Sequence, residues 1–343
     1  MTVLPYSGVP IFNEDGTFRK EDDVVQGRSY SSNLTKLLKQ LPKLENLQKG
    51  KPPSPVMAHI SLTNYCNLTC SFCCFANRDI SEKMPTEKVL KALDSFRAVG
   101  VTGVEFTGGG EPSIHPDFKK IVRYAKDLGF SLGICTNAAR FGMDRPIKKD
   151  IVELFDWVRM GMYGFYEGYD YDLRVFEGTN CKPSAAYVWD ENLETSKNPN
   201  ITGEWTDVKN KRMLSKKFQT TENFIRMLDW VEENKIPCRI AFNAIKDVKE
   251  TAKDIETIRG IIHEYEEDRG RKLQSAFLSD FNFKGERRND HCYMHMVKPF
   301  LFTDGYVYAC PSAELSIENN YNYVPESQFA VCDVDGIIDF YSK

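Results

Sequence analysis

Short β-rich runs alternate with amphipathic helical segments over most of this chain, and that rhythm limits the fold more than any other feature. The β-like runs are 58–62, 103–107, 130–135, 157–162, 238–245 and 273–281. Between them, residues 86–99 place Val89, Leu93 and Phe96 on one helical face and stop at Gly100. Residues 117–128 put Phe118, Ile121, Val122, Ala125 and Leu128 on one stripe before Gly129. Further helical stretches are read at 148–155, 221–233 and 250–265, giving six strand–helix units. Such alternation calls for a parallel sheet with right-handed crossovers, so the expected class is α/β.

In sheets of this kind ligand chemistry sits at the C-terminal ends of the strands. The first strand runs directly into Cys66, Cys70 and Cys73, at C-x3-C-x2-C spacing. A structural zinc site closes with four protein ligands, whereas a four-iron cluster held by three thiolates keeps one iron open. Zinc would want a second Cys-x2-Cys or a nearby histidine pair, and the next histidine is His115, a helix and a strand away.

The second strand ends in Gly108-Gly109-Gly110-Glu111-Pro112. A glycine run lets the backbone approach a ligand closely, and Glu111 offers an acceptor for an ammonium group. Cys66, Cys70, Phe72 and Cys73, followed by Gly109-Gly110-Glu111-Pro112, resemble the signature of the radical S-adenosylmethionine (radical SAM) enzymes, Cys-x3-Cys-x-aromatic-Cys and then Gly-Gly-Glu-Pro.

The resemblance implies a partial (β/α)6 barrel over residues 56–284. It implies a [4Fe-4S] cluster on Cys66, Cys70 and Cys73, whose open iron chelates S-adenosylmethionine, with Phe72, Gly108, Gly109, Gly110 and Glu111 at the cofactor. Reductive cleavage would then give a 5′-deoxyadenosyl radical that takes hydrogen from a peptide or small metabolite. A low-potential donor of flavodoxin or ferredoxin type would feed the cluster. Asn137 stands where relatives place a polar residue after the third strand and Asn243 sits on the fifth; each is a candidate contact to the nucleoside, with a turn former as the plain alternative. The family's Ser-x-Asp-Gly after the fourth strand is replaced by Gly161-Met162-Tyr163-Gly164. Arg159, Tyr163 and Tyr166 are candidate neighbours of the site.

Near the C-terminus, Cys292, Gly305 and Cys310 follow C-x12-G-x4-C, with Cys332 beyond. This resembles the start of a SPASM or twitch extension, here residues 285–343, which implies a small α+β unit with an auxiliary iron–sulfur cluster on Cys292, Cys310 and Cys332. Asp304-Gly305 fits a hairpin turn. His291 and His295 flank Cys292. The plain alternative is that these cysteines are small buried residues, and Cys74, Cys135, Cys181 and Cys238 are read as having no metal role.

Residues 1–55 read as a strap with one helix at 33–47, and 163–220 as an irregular insert that is either a lid or a surface loop. Hydrophobic residues at 41% and charged residues at 27% are ordinary for a soluble globular protein. No apolar run reaches membrane-spanning length and the N-terminus lacks a signal-peptide pattern, so a cytoplasmic protein is expected. A net charge of −4 offers no overall field for nucleic acid, which is not excluded. Two rival activities stand beside net oxidation or bond formation: a redox-neutral isomerase or epimerase that returns hydrogen from a cysteine thiol, and an iron–sulfur electron carrier without radical chemistry.

Overall fold

The computed structural model describes residues 43, 45, 49, 55–70, 72–73, 75, 80–138, 147–163, 171–189, 212–213, 221–242, 248–278, 294–308 and 330–342. The described chain runs through β1 (Met57–Ile60), β2 (Leu68–Thr69), α1 (Thr86–Ala98), β3 (Gly103–Phe106), α2 (Phe118–Asp127), β4 (Ser131–Thr136), α3 (Lys149–Val152) and β5 (Trp157–Gly161). It continues with β6 (Lys182–Trp189), β7 (Arg212–Met213), α4 (Thr221–Glu233), β8 (Cys238–Phe242), α5 (Val248–Arg269) and β9 (Ala276–Leu278). Last come α6 (Met294–Val297), β10 (Phe300–Leu301), β11 (Tyr306–Tyr308), β12 (Ala330–Asp333) and α7 (Ile337–Ser342). None of the described helices is long and apolar enough to cross a membrane.

Ten of these strands share one sheet, in the order β12-β11-β10-β1-β3-β4-β5-β6-β8-β9. From β10 to β9 every neighbouring pair is parallel. The end strands β12 and β9 are not paired, so the barrel is partial and open. Helices cover the outer face because their apolar stripes match it. Val89, Ala92, Leu93 and Phe96 of α1 and Phe118, Ile121, Val122 and Ala125 of α2 are buried. Phe106, Phe118 and Phe155 pack ring against ring at 6.3–6.4 Å. Each such ring contributes about 2 kcal/mol of burial.

Residues 182–189, inside the segment read as an irregular insert, form a core strand instead. β6 pairs with β5 and β8, and Tyr187 and Trp189 pack on Phe224 of α4 at 5.4 and 5.2 Å. The parallel run therefore has two more strands than the sequence reading supplied, β6 and β10. Beyond β6, Arg212 and Met213 pair in parallel with Leu68 and Thr69 of the cysteine loop.

The C-terminal residues continue the same sheet. β10 lies parallel to β1, with His59 opposite Phe300, and β11 and β12 add antiparallel. The hairpin expected at Asp304-Gly305 forms because Gly305 adopts φ +87°. Asp304 accepts from the Tyr306 amide at 2.8 Å and from the Tyr308 hydroxyl at 2.6 Å. Of the expected helix 33–47 only Lys43 and Glu45 are described, both helical, and most of the strap lies outside the described residues.

Candidate active site

The loop after β1 and the turn after β3 are packed into one another. Glu111 N–H donates to the Tyr65 carbonyl at 2.9 Å, and Gly109 N–H to Ser61 Oγ at 3.1 Å. A Cβ on Gly109 would lie 2.1 Å from Asn64 Oδ1, and one on Gly110 would lie 2.1 Å from the Tyr65 carbonyl oxygen. The close approach that these two glycines permit is to the cysteine loop itself. Gly108 adopts φ +116°, which suits it to the exit from β3.

Glu111 is 2% exposed and ties three elements together. Its Oε1 accepts from the Ser113 amide at 3.1 Å and the Thr136 hydroxyl at 2.8 Å, and its Oε2 from the Asn137 amide at 2.7 Å. Burial pushes its carboxyl above the usual value, against these hydrogen bonds. A carboxylate has about four acceptor positions, and at least three are taken here. Sequence reasoning missed Thr136 as its partner.

The same bonds set Asn137 over the cysteine loop. Its Nδ2 donates to Asn67 Oδ1 at 2.8 Å and to Cys66 Sγ at 3.6 Å. Ala138, fully buried, follows at φ +58°, a left-handed conformation that costs a non-glycine residue about 1 kcal/mol. Strain of this kind collects at functional sites.

Cys66, Cys70 and Cys73 are half-buried, and the Cys73 amide turns back to the Cys70 carbonyl at 3.1 Å. Phe72 packs on Tyr163 with ring centroids 5.1 Å apart. Burial raises the Tyr163 hydroxyl well above its ordinary pKa, and Cys70 and Cys73 add to the effect. Tyr163 thus borders the cysteine loop where the family pattern has a polar residue. Among the described residues no three Cys, His, Asp or Glu side chains gather as a single-ion site. Three thiols on one loop, with an amide donor on one sulfur and a buried aromatic floor, fit the cluster.

Of the other expected residues, Asn243, Tyr166, Cys74, Cys292, Cys310 and His291 lie outside the described residues, as does the side chain of His295. Cys332 sits on β12 opposite Val307, and burial, with Asp333 beside it, pushes its thiol up to about 12. Cys181 and Cys238 are buried.

One polar group inside the barrel escaped sequence reasoning. Glu105 on β3 meets His59 Nε2 at 2.6 Å, Lys298 Nζ at 3.4 Å and the Cys135 thiol at 3.2 Å. Burial raises the Glu105 carboxyl, but His59, Lys298 and Arg159 outweigh it and hold the group well below the usual carboxylate range. Burial and Glu105 together push Cys135 up to about 12, which keeps it as a thiol. The signal was present in Ala58-His59-Ile60 and Val104-Glu105-Phe106, where a polar residue interrupts an apolar strand.

Comparison with known proteins agrees with this geometry. The Radical SAM superfamily model matches residues 60–168, which hold the cysteine loop, the glycine turn, Asn137 and Tyr163. Residues 60–168 form a radical SAM domain. The domain is similar to the S-adenosylmethionine-dependent nucleotide dehydratase of Selenomonas ruminantium, 31% identical over 29% of this chain and 35% of that protein. It is also similar to the tungsten-containing aldehyde ferredoxin oxidoreductase cofactor-modifying protein of Pyrococcus furiosus, 37% identical over 28% of this chain and 27% of that protein. The match thus spans about a third or less of these relatives' length. In fold, the chain resembles Streptococcus suis SuiB bound to S-adenosylmethionine, with TM-score 0.54 and 17% identity over 92% of this chain and 72% of SuiB. SuiB bound to its precursor peptide SuiA gives TM-score 0.50 at 17% identity, over 91% and 71% of the two chains. The family match over residues 60–168 implies a [4Fe-4S] cluster and S-adenosylmethionine there.

The auxiliary cluster is a separate question with a direct readout. With Cys66, Cys70 and Cys73 all changed to Ala, anaerobic reconstitution is expected to leave about four irons per chain. Essentially no iron would make Cys292, Cys310 and Cys332 structural.

Proposed function

We propose that this radical SAM enzyme abstracts hydrogen from a peptide or small metabolite, with net oxidation or bond formation. The observation that carries the reading is the junction of cysteine loop, glycine turn and β4 end through Glu111 and Asn137, set at the C-terminal edge of an open barrel with a polar interior. Cys66, Cys70 and Cys73 hold the cluster, and Gly108, Gly109, Gly110, Glu111, Asn137 and Asn243 hold S-adenosylmethionine. When bound, these groups supply a hydrogen-abstracting carbon radical after one electron from a low-potential flavodoxin- or ferredoxin-type donor. Phe72 and Tyr163 shield the cysteine loop from water. An auxiliary cluster on Cys292, Cys310 and Cys332 would take up the electron that an oxidation releases. The peptide substrate is supported by SuiB, and the metabolite by the nucleotide-acting relative.

Cys135 favours a second, redox-neutral reading. Its thiol lies inside the barrel, one residue before Thr136, and stays protonated. It would return a hydrogen atom to the substrate radical, and one electron from the donor with one proton would restore the thiol. One experiment separates the readings. Anaerobic turnover in D2O with peptide and small-metabolite pools is followed by mass spectrometry. Oxidation yields product two mass units lighter, whereas the thiol route yields product that gains one deuterium and loses that label in Cys135→Ala. No change in any pool under S-adenosylmethionine turnover would contradict both.

A further inference from the structure

The reactions above leave Glu105 and its partners inside the barrel without a role. The two oxygens of Glu105 face different groups. Oε1 accepts from the Cys135 thiol at 3.2 Å, while Oε2 meets His59 Nε2 at 2.6 Å and Lys298 Nζ at 3.4 Å. Because its partners hold the carboxyl ionised, the His59 nitrogen facing it is the one that carries hydrogen. Phe300 meets the His59 ring edge-on at 6.2 Å and limits its rotation.

Stability does not account for this group. Taking such charges out of water costs several kcal/mol per ion, and apolar side chains of the same volume often serve a core as well or better. Perturbed carboxyl and thiol groups gather instead where chemistry is done. Two residues beyond Cys135, Asn137 reaches Cys66, so the thiol stands on the strand end that meets the cysteine loop.

Side-chain exposure rises in steps along the group, from 8% at Glu105 to 14% at His59 and 32% at Lys298. The carboxylate therefore connects an interior thiol to groups that reach water. Cys238 on β8 shows a buried thiol of a different kind. Its sulfur lies 3.7 Å from Met227 Sδ, and burial is what raises it.

We infer that Glu105 is the proton carrier that recharges Cys135, with His59 as the source of the proton. This rests on the redox-neutral reading, in which the thiol gives a hydrogen atom to the substrate radical and becomes a thiyl radical. One electron from the low-potential donor turns the thiyl into a thiolate. The Nε2 proton of His59 then passes through the Glu105 carboxyl to sulfur, and His59 recovers a proton from water. Restoring the thiol thus consumes one electron and one proton. Lys298 positions the carboxylate.

The test follows hydrogen–deuterium exchange at Cys135, read from its S–H stretching band in infrared spectra after the reconstituted holoprotein is mixed with D2O. Loss of a band in Cys135→Ala and in Cys238→Ala assigns the two thiols. Wild-type Cys135 is expected to exchange about tenfold or more faster than Cys238, and Glu105→Gln and His59→Gln to slow it by a similar factor. Glu105→Asp returns the carboxylate and should recover part of the rate. A substitution that merely loosens the fold has the opposite sign, speeding Cys135 and Cys238 together. The inference is overturned if wild-type Cys135 exchanges no faster than Cys238, or if Glu105→Gln and His59→Gln leave its rate unchanged or raise it. The deuterium-label turnover is run beside it. Label that depends on Cys135, with exchange indifferent to Glu105, removes the carrier alone. Exchange that depends on Glu105, with no label reaching product, removes the redox-neutral reading and the recharging role with it.

Discussion

Gly110→Ala is expected to cut turnover of S-adenosylmethionine about 100-fold. The added Cβ would lie 2.1 Å from the Tyr65 carbonyl oxygen and 2.6 Å from Asn64 C and Thr63 O, all of them backbone atoms. No side chain can move aside to make room. The glycine turn must therefore separate from the cysteine loop and break the Glu111 N–H bond to Tyr65. A displacement of about 1 Å at a reacting site costs roughly 100-fold in rate, so the loss in turnover should reach that size. Gly260→Ala is the contrasting control. Gly260 lies in α5 with nothing within 4 Å of a Cβ, and alanine there should stabilise the helix by about 1 kcal/mol. Near-normal turnover by Gly110→Ala would mean that the two loops are not locked together.

Glu111→Ala carries the second large effect, and it is one of stability as well as binding. The substitution leaves the Ser113 amide, the Thr136 hydroxyl and the Asn137 amide without their buried acceptor. Each orphaned donor costs about 1–3 kcal/mol, so a total of roughly 3 kcal/mol or more is expected. Asn137 would also lose the bond that sets it over Cys66. Glu111→Gln keeps one acceptor oxygen but turns an NH2 toward a donor, and should fall between wild type and Glu111→Ala. Thermal melting and S-adenosylmethionine titration of the three proteins measure this order. Equal melting temperatures would show that Glu111 is not the brace described above.

How far the fold could be read from sequence depended on the kind of pattern each segment carried. α1 and α2 were legible because Val89, Leu93 and Phe96, and then Phe118, Ile121 and Val122, repeat at helical spacing and end at Gly100 and Gly129. β6 was hidden for a physical reason. Its inward residues, Ser184 and Ala186, are small, and the surrounding stretch is rich in Asn, Lys and Thr, so only Tyr187 and Trp189 mark it as core. The cysteine loop and Gly109-Gly110-Glu111-Pro112 were paired by their resemblance to the radical SAM signature. Their bonding could not be read, because Glu111 meets Thr136 and Asn137 only once β4 lies beside β3. For the same reason the Glu105 group had no sequence signature beyond single polar residues at alternate strand positions, since its partners come from β1, β4, β5 and the residues before β10.

The central claim is that Cys66, Cys70 and Cys73 hold a cluster that cleaves S-adenosylmethionine. It is tested most directly by incubating the anaerobically reconstituted, chemically reduced protein with S-adenosylmethionine and quantifying 5′-deoxyadenosine by chromatography. The account predicts product from the wild-type chain and none from the variant with all three cysteines changed to Ala. A wild-type protein with a full, reducible cluster that forms no 5′-deoxyadenosine would contradict it, and would leave an iron–sulfur carrier in its place.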